Sequence, residues 1–208
     1  MINGAGKGIG REIAIGMAER KGFVYSIDIA FPYKIPEQLA ANLFDKYCDI
    51  TIHDDFKMLC EENFTKHKRI DVLINNAGIT YTKKADELYP REQWDRTLLV
   101  NLTAAFMCSQ TVSVYMAKQR EGSIINITRL NAELGFPDNP AYVASKGGLK
   151  MLGKALARDY GEYSIRVNNI GPGYIRTEMT KNSYSNKKSG WRVNLALRYE
   201  DGAHQMME

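Results

Sequence analysis

Cysteine is scarce in this 208-residue chain. The three that occur, Cys48, Cys60 and Cys108, are odd in number and widely spaced, with no Cys-x-x-Cys pair. Neither a disulfide framework nor a zinc site is expected from them, and no metal is assigned. Histidine is as sparse: His53, His67 and His204 lack ligand spacing and are expected at the surface. No apolar run approaches the ~18 residues of a membrane span, and no signal-peptide pattern opens the chain. A basic stripe interleaved with aromatics is also missing, which argues against nucleic acid. The formal net charge is only +4, and the pair Lys187-Lys188 sits in a polar segment where it is read as solvated. These absences point to a cytoplasmic protein with reduced thiols and no membrane partner.

What is present fits one α/β domain over residues 1–208. The hydrophobic share is 44%, and a chain of this length buries roughly 70% of its unfolded surface. Short apolar runs alternate with amphipathic stretches, the mark of βαβ units around a parallel sheet. Strands are expected at Phe23–Asp28, Lys46–Asp49, Val72–Asn75, Ser123–Thr128 and Ile165–Ile170. Helices are expected at Gly10–Lys21, Asp54–Lys66, Gln93–Lys118 with room for a break, and Tyr142–Tyr160. Both ends read as incomplete. The strand feeding the first turn has only Met1 and Ile2, and the polar stretch after Thr180 ends without a further strand–helix unit. A truncated or mis-started reading frame is therefore expected rather than a compact variant.

The first turn, Asn3-Gly4-Ala5-Gly6-Lys7-Gly8-Ile9-Gly10, opens directly into a helical pattern. Glycines suit a turn whose backbone takes unusual angles and which must let a pyrophosphate approach closely. The helix N-terminus offers unpaired N–H groups and a positive dipole end to those phosphates. The strand FVYSID follows and closes on Asp28, 18 residues after Gly10. A carboxylate there can accept the adenosine ribose hydroxyls and repel a 2′-phosphate, so Asp28 points to NAD. Lys7 points weakly to NADP, since a cation in the turn could meet that phosphate.

Further along, Tyr142 and Lys146 stand four residues apart in a helical pattern and share a face. A phenol titrates near ~10, and a neighbouring ammonium favours its anion. Such a tyrosine can take the proton of an alcohol as hydride leaves, or return it to a carbonyl. A Tyr/Lys pair standing alone is usually surface decoration, and the dinucleotide features upstream are what lift it to a catalytic reading. Asn101, in LLVNLTAAF, reads from the residues as an asparagine kinking a buried helix.

With the glycine turn, Asn75-Asn76-Ala77-Gly78 after a strand, and Tyr142-x-x-x-Lys146, the chain resembles the short-chain dehydrogenase/reductase family from Asn3 to about Thr180, with gluconate dehydrogenase-like and 3-oxoacyl reductase-like members in view. The resemblance implies a Rossmann-type doubly wound parallel sheet flanked by helices, here short of most of the first strand and of the last. It also implies hydride transfer between NAD or NADP and a small-molecule alcohol or carbonyl. Carried over to this sequence, Gly4, Gly8, Ile9 and Gly10 would hold the pyrophosphate. Asp49 and Ile50 would hold the adenine, and Asn76 would lie along the cofactor. Gly171-Pro172-Gly173, Ile175 and Thr177 would flank the nicotinamide. Lys146 would also reach the cofactor ribose, and Asn101 would hold a water that relays protons to it. A homo-oligomer through the long helices, Tyr142–Tyr160 among them, is implied as well.

The family's remaining element is a serine hydroxyl thirteen residues before the tyrosine. This chain has Arg129 there. Removing one oxyanion donor costs on the order of 10²–10³ in rate. Adjacent Thr128 carries a hydroxyl, but neighbouring strand side chains point to opposite faces, so it can substitute only if the strand slips or bulges. Arg129 could instead donate to a substrate oxygen or clamp a carboxylate. It could equally block the pocket beside Lys146. The expectation is an oxidoreductase by ancestry with impaired turnover. The competing readings are a relative that only binds dinucleotide or partner subunits, and an incomplete product that folds poorly.

Overall fold

The computed structural model describes residues 1–132, 135–173 and 175–180. The segment after Thr180, with Lys187, Lys188 and His204, lies outside the described residues. Six parallel strands form one sheet: β1 (Ile2–Asn3), β2 (Val24–Asp28), β3 (Leu43–Tyr47), β4 (Val72–Asn75), β5 (Gly122–Ile127) and β6 (Ile165–Ile170). Their spatial order is β3-β2-β1-β4-β5-β6, the doubly wound Rossmann-type arrangement whose crevice opens where the order reverses, beyond β1 and β4.

Short as it is, β1 is paired on both edges, Ile2 with Ser26 and Ile74, Asn3 with Ile27 and Asn75. Among the described residues the α-helices are α1 (Gly8–Glu19), α2 (His53–His67), α3 (Arg91–Leu98), α4 (Ala104–Gln119) and α5 (Pro140–Asp159). Apolar side chains pack on both faces of the sheet. One layer gathers Tyr25, Phe56, Leu73, Val112, Met116, Ile124 and Leu156, bringing α2, α4 and α5 onto it. The other packs Ala14 and Ala18 of α1 against Ile2, Val24, Leu43, Ile74 and Ile127. Central strands covered on both faces explain why their sequences are nearly continuous apolar runs.

Several expectations are corrected. The third strand is Leu43–Tyr47, not Lys46–Asp49, because β3 pairs Val24 with Leu43 through Asp28 with Tyr47, and Asp49 lies beyond it. The helix expected at Gln93–Lys118 with room for a break is, as that allowed, two helices joined by a π-helical turn at Leu99–Thr103. With that turn they span Arg91–Gln119, a helical stretch which by length and composition alone could cross a membrane. Here the run packs against β4, β5, α2 and α5. His67 is half-buried rather than fully exposed. Its ring packs 4.8 Å from Phe23 and 5.8 Å from Tyr25, and burial, helped by Lys66, lowers its pKa. Cys48, Cys60 and Cys108 are free and buried, and burial pushes the Cys60 thiol up to about 12.

Candidate active site

The glycine turn links β1 to α1 and depends on glycine for two reasons, backbone angle and room. Gly4 and Gly8 have φ of +64° and +60°, a region L side chains resist. Gly10 has no room for a Cβ, which would lie 2.4 Å from both the Gly4 carbonyl and the Asn76 amide. The space over Gly8 is different: a Cβ there would meet only Thr177, at 3.5 Å. A groove lined by Lys7, Gly8, Arg11, Glu12, Tyr33 and Thr177 opens between the turn, the start of α1 and the 176–178 segment, with half-buried Ile9 and exposed Ile175 next to it in the chain. Lys7 precedes α1 without a side-chain cap, so among the described residues no N-cap side chain satisfies the first-turn N–H groups of this twelve-residue helix beside the groove. These are the features a dinucleotide pyrophosphate needs, and the residues present fit one.

Asp28 ends β2 against the turn. Its Oδ2 accepts the Gly6 N–H at 2.8 Å and its Oδ1 accepts those of Ile29 at 2.7 Å and Ala30 at 3.4 Å. Beneath, Arg11 of α1 is buried and pairs with Asp45 of β3 at 2.6 Å. Asp49 and Ile50 sit differently from one another. Asp49 accepts the Thr51 N–H at 2.9 Å and the Thr51 hydroxyl at 2.7 Å, with Arg96 3.4 Å away. Burial opposes its ionisation, but these donors outweigh burial and hold its pKa below the ordinary carboxylate value. Ile50 is buried in the core layer under α2.

Asn76 is fixed by the turn itself. Its Nδ2 donates to the Gly4 carbonyl at 2.7 Å, and its N–H donates to Asn3 Oδ1 at 2.8 Å. Gly78 follows, and a Cβ on it would lie 3.5 Å from both Asn101 Oδ1 and Lys146 Nζ. The 76–78 loop therefore brings the glycine turn, Asn101 and the α5 lysine to one place.

Asn101 lies in the π-helical turn and is fully buried. Its Oδ1 accepts the Ile79 N–H at 2.8 Å, while its Nδ2 donates to the Ile79 carbonyl and the Ser145 hydroxyl, both at 3.0 Å. The helix interruption foreseen at Asn101 thus aims its side chain across at α5. Ser145 in turn donates to the Tyr142 carbonyl at 2.7 Å. The sequence reading missed Ser145, although its place three residues after Tyr142 puts it on the same helical side.

Lys146 is 3% exposed, donates to the Ile127 carbonyl at 2.8 Å, and stands 5.8 Å from the Tyr142 ring centroid. Burial first, and then the Arg129 guanidinium, push its pKa down to about 8. Tyr142 is 5% exposed. Arg129 lies just past β5, its guanidinium carbon 5.9 Å from the Tyr142 ring centroid. Thr128 does not slip into its place. Its N–H and hydroxyl both donate to the Ile170 carbonyl, at 2.8 and 3.0 Å, so the hydroxyl is held toward β6.

A family model for short chain dehydrogenases matches residues 1–188. A 3-oxoacyl-[acyl-carrier-protein] reductase, FabG, of Thermotoga maritima is 36% identical over 189 residues, covering 87% of this chain and 75% of the relative. A 3-oxoacyl-[acyl-carrier-protein] reductase of Synechocystis is 32% identical over 192 residues, covering 88% and 76%. Among solved structures, a gluconate 5-dehydrogenase from Burkholderia cenocepacia in complex with NADP and tartrate superposes with a TM-score of 0.79 at 30% identity, over 90% of this chain and 75% of that one. The chain belongs to the short chain dehydrogenase family and is by descent an NAD(P)-dependent oxidoreductase.

Proposed function

We propose that this protein transfers hydride between NAD and a secondary alcohol or ketone in the cytoplasm, at a rate held down by Arg129. The observation that carries the reading is the buried Lys146 beside Tyr142, with Asn101 and Gly78 closing the same corner. The nicotinamide would supply or accept the hydride. Gly4, Gly8, Ile9, Gly10, Asn76, Ile175 and Thr177 would bind it along the groove, and Lys146 would reach its ribose. Tyr142 takes or returns the proton at the substrate oxygen. Lys146 sets the charge around that phenol, and with its pKa near 8 it can pass a proton near neutral pH. Asn101 brackets Ile79 against Ser145 and so positions α5; its water-holding role rests on the family resemblance. Asp49 and Ile50 would border the adenine.

NAD is favoured over NADP because Asp28 is anchored by three backbone N–H groups where the adenosine ribose would lie, fixing a negative charge against a 2′-phosphate. Lys7 in the turn, and the NADP in the gluconate 5-dehydrogenase complex, weigh the other way. Calorimetric titration tests the preference. NAD should bind about tenfold or more tightly than NADP, and Asp28→Ser should invert or erase the order. Tighter binding of NADP by the unaltered chain would refute NAD.

A second reading, a dinucleotide-binding relative without turnover, is favoured by one observation. Neither Arg129 nor the engaged Thr128 supplies a hydroxyl beside Tyr142. Assay of NAD reduction with a panel of secondary alcohols separates the two.

A further inference from the structure

Four asparagines share one face of the sheet. Strand register sets Asn3 of β1 beside Asn75 of β4, Asn75 beside Asn126 of β5, and Asn126 beside Asn169 of β6. Their side chains form one continuous ladder. Asn3 Nδ2 donates to Asn75 Oδ1 at 2.8 Å, Asn75 Nδ2 to Asn126 Oδ1 at 3.0 Å, and Asn126 Nδ2 to Asn169 Oδ1 at 3.1 Å. Asn169 Nδ2 ends the ladder on the Lys150 carbonyl of α5 at 3.0 Å. At the other end Asn3 Oδ1 accepts the N–H groups of Asn76 and Ala77, both at 2.8 Å.

Backbone groups fix the sense of the ladder from both ends. An N–H can only donate, so Asn3 turns its oxygen toward Asn76 and Ala77. A carbonyl can only accept, so Asn169 turns its NH₂ toward Lys150. Working inward from either end gives the same orientation at all four amides. Their dipoles therefore align head to tail, and each bond polarises the next in a region where Asn3, Asn75 and Asn126 are no more than 2% exposed.

The two ends lie on different halves of the candidate site. One holds the 76–78 loop against the glycine turn. The other grips α5 one turn beyond Lys146. Gly153 lets the helix settle directly on the amides, since a Cβ there would lie 2.2 Å from Asn169 Oδ1 and 2.8 Å from Asn126 Nδ2.

We propose that Asn169 is a positioning residue, coupling dinucleotide binding at the Asn3–Gly10 turn to the placement of Tyr142 and Lys146 on α5 through the Asn3-Asn75-Asn126-Asn169 ladder. This rests on the reading of the groove as a dinucleotide site. Asn169 touches neither the turn nor the reacting side chains, so a purely structural role would alter stability and leave cofactor affinity alone.

The test uses Asn169→Ala, which removes both of its ladder bonds, and Asn169→Ser, which keeps a short polar group but cannot span them. Asn168→Ala, at the exposed neighbouring position of β6, is the control. Calorimetry with NAD should show both Asn169 variants binding about threefold to thirtyfold more weakly, the range over which side chains touching neither site modulate coupling. The control should match the parent. Unchanged NAD affinity in a folded Asn169 variant, even with a lowered melting temperature, would overturn the proposal. A second measurement needs no variant: in the unaltered protein the Asn169 side-chain NH₂ resonances should shift on adding NAD while those of Asn168 stay. Resonances of Asn169 that do not move would overturn it equally. If the parent binds neither NAD nor NADP, the groove reading falls first, and the coupling with it.

Discussion

Replacing Arg129 by serine probes the position at which this chain departs from its family's pattern. The backbone there is well held. The Arg129 carbonyl accepts the Ala132 N–H at 2.8 Å, Leu130 donates to the Pro172 carbonyl at 3.4 Å, and Gly171 packs against the Arg129 backbone. A serine Cβ would keep the arginine's starting point, and its hydroxyl would stand on the Tyr142 side, where the guanidinium now lies 5.9 Å from the ring centroid. One oxyanion donor is worth on the order of 10²–10³ in rate, and we expect about tenfold or more of that to be recovered. A second effect has a definite sign. Arg129 is one of two causes lowering the Lys146 pKa to about 8, so its removal raises that value, with burial still holding it below 10.5. The pH limb of activity that follows Lys146 should move upward. The assay is NAD reduction with secondary alcohols across pH, comparing the parent, Arg129→Ser and Arg129→Ala. Serine well above alanine identifies a restored hydroxyl; equal gains identify relief of bulk and charge. No gain in either folded variant would refute the view that Arg129 limits turnover.

Tyr142→Phe keeps the ring and removes the acid–base group, so turnover should fall by about 10²–10⁴ while NAD affinity stays near the parent's; retained turnover would remove Tyr142 from the chemistry. Lys146→Met tests the buried ammonium through stability. The folded-state pKa of about 8 lies below the unfolded 10.5, so the unfolded chain binds more protons between these values and parental stability rises with pH across that window. Below pH 8 the variant should be the more stable by up to about 3 kcal/mol, less whatever the lost bond to Ile127 contributed. Urea unfolding at several pH values should see that gap close toward pH 10.5, and a gap independent of pH would contradict the buried-charge account.

Much of the fold was legible in the residues because local patterns carried it. Apolar runs at Val72–Asn75 and Ile165–Ile170 mark strands found with those same bounds. The break foreseen in the Gln93–Lys118 helix is the π-helical turn around Asn101. The third strand was displaced because the run ending in Asp49 continues past the sheet edge, and only pairing with β2 decides where a strand stops.

By itself the sequence determined the class of protein, the glycine turn and the Tyr142/Lys146 pair, since each is written in neighbouring residues whose spacing sets their geometry. It could not specify what depends on residues far apart in the chain. That Asn3 reaches Asn76 and Ala77, that Ser145 meets Asn101, and that Thr128 is tied to Ile170 are outcomes of parallel pairing between distant strands and helices. The asparagine ladder is the clearest case. Four unremarkable residues, spread from position 3 to 169, become one polarised row only because strand register brings them side by side in a buried layer where every amide needs a partner.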